Sequence, residues 1–106
     1  MEKTTYLNEE NFEEILAAKN AAVVDFYADW CGPCKAMTPI FDALAAEMAD
    51  KIGFYKVNVD QNRNLAIQNR VLGIPCFLFF KEGRMVKRVD GAMSEEDFRE
   101  ALKVLE

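Results

Sequence analysis

The chain contains no histidine. That absence removes the commonest general base near neutral pH, so proton transfer must fall to a carboxylate, lysine or thiol whose pKa is displaced. Cysteine is scarce and odd in number: three residues, only two of them close together, do not make the framework of a small secreted disulfide protein. Three thiols without histidine also fall short of the four ligands of a structural zinc site. No apolar stretch approaches the roughly 18 residues needed to cross a bilayer. Basic charge is in deficit, with 13 Lys and Arg against 18 Asp and Glu, so no basic stripe exists to neutralise phosphates and nucleic-acid binding is not expected. The first residues, Met1-Glu2-Lys3-Thr4-Thr5-Tyr6, lack the apolar segment of a signal peptide. An intracellular protein is therefore expected, although a mature chain whose leader had been removed would read the same. No repeat, linker or low-complexity segment interrupts the sequence. Its 106 residues, 51% of them hydrophobic, are expected to form one domain, residues 1–106, with one packed core.

Against these absences stands Trp30-Cys31-Gly32-Pro33-Cys34-Lys35. Two thiols at this spacing can close a small disulfide ring and so hold or release two electrons. Downstream, Met37, Ile40, Phe41, Leu44, Ala45 and Met48 recur at helical spacing, which predicts a helix from Cys31 to about Asp50, kinked at Pro39. Cys31 then falls in its first turn, where unpaired N–H groups and the helix dipole favour a thiolate, and Pro33 costs nothing there. Upstream, Val23 to Ala28 reads as a buried strand.

Further strands are predicted at Thr4–Leu7, Gly53–Val59, Cys76–Phe80 and Met85–Val89, the last two forming a hairpin through Glu82-Gly83. Helices are predicted after an Asn8 N-cap, with Phe12, Ile15 and Leu16 as the buried stripe, at Asn64–Asn69, and after a Ser94 cap with Asp97 three residues on. The order β-α-β-α-β-α-β-β-α implies an α/β fold, a central mixed sheet with helices on both faces. The acid excess lies in the first half, and Arg63, Arg70, Lys81, Arg84, Lys87, Arg88, Arg99 and Lys103 load the second as solvated faces.

Asp25 is an acid within an otherwise apolar strand, and burial there is expected to raise its pKa. Two readings stand: a proton acceptor for a nearby thiol, or a buried acid tied structurally to Lys56. Cys31 and Cys34 are read as a redox pair, against an inert buried pair or half of a metal clip. Trp30 reads either as a recognition residue or as ordinary partial burial. Pro75 reads, from sequence alone, as a trans proline starting a strand.

The run Trp30 to Lys35, together with Asp25, Lys56, Asp60, Gly73-Ile74-Pro75, Phe80-Lys81-Glu82-Gly83 and Gly91, resembles the thioredoxin family over essentially the whole chain. The resemblance implies a protein disulfide reductase in the cytoplasm, a monomer with no bound cofactor and no metal, recharged by a thioredoxin reductase and acting on oxidised protein substrates. It implies that Cys31 attacks, Cys34 resolves, Asp25 assists proton transfer and Lys56 moderates Asp25. It also implies a cis Ile74–Pro75 bond, and an apolar recognition patch of Trp30, Gly32, Pro33, Ile74, Pro75, Gly91 and Ala92. Gly-Pro between the cysteines points, by resemblance, to the reducing end of the superfamily. An oxidase or isomerase of the same fold and a redox-silent binding module are the rivals. Two positions depart from the family pattern: Tyr27 stands where tryptophan is common, and Cys76 where threonine usually follows the proline. Cys76 is either a small thiol filling a threonine-sized site or a third redox-active thiol.

Overall fold

A computed structural model describes residues 4–106. Five strands form one mixed sheet in the order β1-β3-β2-β4-β5. They are β1 (Thr4–Tyr6), β2 (Ala21–Tyr27), β3 (Gly53–Asn58), β4 (Cys76–Lys81) and β5 (Arg84–Asp90). The first three are parallel to one another, while β4 runs antiparallel to β2 and β5 antiparallel to β4. The helices are α1 (Phe12–Ala17), α2 (Gly32–Met48), α3 (Arg63–Gln68) and α4 (Glu95–Leu102), the last followed by a 3-10 turn, Lys103–Leu105.

Alternation along the strands divides the core into two layers. On one face Val23, Phe54, Phe77 and Phe79 meet Met37, Phe41 and Leu44 of α2 and Phe98 and Leu102 of α4. Phe98 lies 5.1 Å from Phe77 and 5.8 Å from Phe41 between ring centroids, the range in which aromatic pairs add to area burial. On the other face Val24, Phe26, Val57, Leu78 and Phe80 meet Phe12 and Leu16 of α1 and Leu65 of α3. The expected mixed sheet with helices on both faces is therefore observed.

Several boundaries differ from the sequence reading, for local reasons. Asn8 does not cap α1; Asn11 occupies that position. The Asn8 side chain instead accepts hydrogen bonds from the N–H groups of Glu10 and Asn11, and its carbonyl accepts from Phe12. It builds the turn before the helix. Strand β2 begins at Ala21, because Ala21 and Ala22 pair with Lys81 and Phe80 although alanine is a weak strand former. Cys31 is the N-cap of α2 rather than part of its first turn, and α2 runs unbroken through Pro39 to Met48. In the β4–β5 turn both Glu82 and Gly83 have positive φ, the pattern of a two-residue hairpin whose twist matches its strands. Ser94 caps α4, its hydroxyl accepting from the Asp97 N–H at 3.1 Å.

Candidate redox site

The site is built where β2 ends and α2 begins. Ala28 turns the chain, the Cys31 N–H donates to the Ala28 carbonyl, and Cys31 keeps extended backbone angles so that its sulfur swings back over the first turn. There Cys31 Sγ accepts the Cys34 N–H at 3.2 Å. The two cysteines form a disulfide, with Cα atoms 5.2 Å apart. Both are only 4% exposed, packed among Ala28, Tyr27, Val59 and Ile74. Cys31 is therefore as deeply buried as Cys34 in the closed ring.

A second segment closes over the ring. Ile74–Pro75 is a cis peptide, and the Ile74 carbonyl lies 3.8 Å from Cys31 Sγ. The Pro75 carbonyl accepts from the Gly91 N–H at 2.8 Å, which joins the proline loop to the end of β5; Gly91 has φ of 94°, open to glycine without strain. Trp30 is 70% exposed, its indole Nε1 donating to Asp60 Oδ2 at 2.8 Å. The structure brings Trp30, Cys31, Gly32, Pro33, Cys34, Ile74, Pro75 and Gly91 to this one end of the sheet. The hydrogen bond by which Asp60 orients Trp30 was not foreseen, although Asp60 was among the residues that carry the family resemblance.

Asp25 lies on β2, two residues before the end of that strand, 1% exposed, its Oδ1 without a hydrogen-bond partner among the described residues. Burial pushes its pKa from 3.8 up to about 7; the Lys56 charge pulls it down and Asp42 on α2 pushes it further up. Lys56 stands beside Asp25 in the β2–β3 register, but its ammonium rests over the rings of Tyr27 at 5.5 Å and Phe41 at 5.7 Å. It acts on Asp25 through its field. A cleft of about 400 Å³, lined in part by Tyr27, Thr38 and Lys56, reaches Cys34 from solvent. A larger hollow, about 710 Å³, lies at the far end of α2 among Glu47, Lys51, Arg99 and Lys103, remote from the cysteines.

Cys76 is wholly buried on the α1 and α3 face of the sheet. Burial first, and the facing Asp90 carboxylate second, push its thiol up to about 12. Among the described residues no group of three or more Cys, Asp or Glu side chains is gathered closely enough to hold a metal ion, and no helix is long and apolar enough to cross a membrane.

A small disulfide ring at a helix N-terminus can do one thing chemically, which is to exchange two electrons with another thiol–disulfide couple. The fold and the site define a dithiol–disulfide oxidoreductase. A model of the thioredoxin family matches residues 3–104, and the chain belongs to that family. It is 40% identical over 91 residues to thioredoxin from Acidithiobacillus ferridurans, covering 85% of this chain and 84% of that protein. Among solved structures, a mutant thioredoxin from Halobacterium salinarum NRC-1 matches with a TM-score of 0.88 at 28% identity, over 96% of this chain and 89% of that one. A structure describing the thiol resolving mechanism in yeast mitochondrial 1-Cys peroxiredoxin via glutathione/thioredoxin systems matches with a TM-score of 0.87 at 29% identity, over 95% of this chain and 94% of that one.

Proposed function

We propose that the chain, acting as one unit over residues 1–106 and as a monomer, is a general protein disulfide reductase. The observation that carries this reading is the seating of the Cys31–Cys34 ring between the N-terminus of α2 and the Ile74 carbonyl, just past the strand that carries a buried carboxylate of pKa about 7.

In the reduced protein Cys31 is the attacking thiolate, favoured by the Cys34 N–H already directed at its sulfur and by the positive end of α2. Its electron pair forms a bond to one sulfur of the substrate disulfide, and the other substrate sulfur leaves as a thiolate that takes up a proton. Asp25 accepts the Cys34 proton, with the cleft beside Cys34 as its exchange route to solvent. The Cys34 thiolate then attacks Cys31 Sγ, closing the ring and expelling the second substrate thiol. Two electrons have moved from the dithiol to the substrate, and a thioredoxin reductase returns them. Lys56 limits how far burial raises Asp25.

Trp30, Gly32, Pro33, Ile74, Pro75, Gly91 and Ala92 form the recognition surface. An extended substrate segment is held there by backbone hydrogen bonds at Ile74. No cofactor is bound beyond the disulfide, and the work belongs in a reducing compartment, the cytoplasm, in electron transport and redox homeostasis. Cys76 is a packing thiol in this reading, since a buried group with so high a pKa supplies no thiolate.

Cys31→Ser is expected to abolish insulin disulfide reduction, while Cys34→Ser retains Cys31 and accumulates mixed disulfides visible by mass spectrometry. Full reductase activity in Cys31→Ser overturns the reading. A reduction potential more oxidising than the glutathione poise would favour an oxidase instead.

A further inference from the structure

Arg88 lies on β5, opposite Leu78 in the β4–β5 register, and its guanidinium makes three contacts around one loop. Nη1 donates to the Asn69 carbonyl at 2.9 Å, Nη2 donates to the Arg70 carbonyl, and Nε pairs with Asp90 at 3.3 Å. The side chain is 29% exposed, so the fork is partly shielded from water.

Both carbonyls belong to the C-terminal turn of α3. There the Arg70 N–H donates to the Ile67 carbonyl and the Val71 N–H to the Ala66 carbonyl, with Arg70 itself at φ of 55°. This is a Schellman turn, which leaves the carbonyls of its own last residues without helical partners. Arg88 supplies those partners. Its planar fork suits two neighbouring acceptors and a carboxylate together in a way an ammonium cannot.

The turn launches the segment Val71-Leu72-Gly73-Ile74-Pro75. Leu72 is 97% exposed, and Ile74 touches Cys31. At the other end of the segment, Cys76 stands opposite Asp90 in the β4–β5 register, and the Gly91 N–H holds the Pro75 carbonyl. One Arg88–Asp90 pair therefore ties down the entry to the loop, while the strand end that carries it holds the exit.

We propose that Arg88 is a positioning residue for substrate recognition. It fixes the Leu72–Pro75 loop beside the disulfide, so that an extended apolar segment of a protein substrate docks on a preordered edge with Leu72 as a side-chain contact. This rests on the reductase reading above, and it adds the element that sets how well protein substrates bind. A small aromatic disulfide, which needs only the sulfurs, has no use for the loop.

The test is steady-state reduction of insulin and of 5,5′-dithiobis(2-nitrobenzoate) by the full chain. Arg88→Gln should raise KM for insulin about five- to tenfold, with kcat and the rate on the small disulfide within about twofold of the parent and the reduction potential unchanged. Leu72→Ser, a change at a solvated position, should raise KM for insulin in the same way, and adding Arg88→Gln to it should cost less than in the parent, since the two act through one loop. An unchanged KM for insulin in either variant, full additivity, or a parallel fall on both substrates overturns the proposal. A parent chain inactive on insulin would instead overturn the reductase reading, before any loop variant is made.

Discussion

Asp25 enters the folded protein between Val24 and Phe26 on a buried strand, and the consequence is a pH dependence of stability opposite to that of a salt-bridged carboxylate. Its folded pKa, about 7, lies above the ordinary 3.8, so between those values the folded state holds a proton that the unfolded state has lost. Ionisation therefore adds no cost below about pH 4, and its cost grows as pH rises to 7, levelling off above that. The displacement corresponds to about 4 kcal/mol. Asp25→Asn is expected to stabilise the oxidised protein by about 3–4 kcal/mol at high pH and little near pH 4, measured by urea denaturation across that range. The same change should slow the resolving step and remove a titration near neutrality from its pH profile. This residue was legible in sequence because an acid in an apolar strand is conspicuous by itself. Asp42, Asp60 and Arg88 were not, because each acts on a partner far along the chain and nothing local marks the pairing.

At the scale of elements, α3 ends on a residue unsuited to the task by its backbone. Arg70 holds a positive φ in a position where glycine avoids the Cβ clash. Arg88 binds the Arg70 carbonyl, which glycine retains. Arg70→Gly is accordingly expected to stabilise the protein by about 1 kcal/mol, read from the urea midpoint at constant m-value; a loss of stability would show that the arginine side chain itself is needed. Element identity was readable from periodicity throughout, and the Ser94 cap was readable from its spacing. Element starts were harder. Asn8 has cap chemistry and spends it on a preceding turn, and the start of β2 depends on the neighbouring strands that Ala21 and Ala22 join.

Over the whole molecule, stability is arranged from the inside of the sheet outward. Strands β2, β3 and β4 are almost wholly buried between the two helical layers, whereas β5 forms an edge whose residues are mostly exposed. Amide hydrogen exchange should be slowest in β2, β3 and β4 and fastest on the outer side of β5; uniform protection across the sheet would contradict this layering. The redox ring sits at the end of the most protected strand, which gives exchange chemistry a rigid floor.

Trp30 lies at the rim of that ring, tethered to Asp60 and largely bare to water. It is also the chain's one tryptophan. Indole fluorescence therefore comes from a single place in the molecule, the edge of the redox site, where the proposed substrates would dock. A docking protein that covers this side chain will dry it and shift its emission to the blue, so the chain carries an intrinsic optical gauge of occupancy that needs no label.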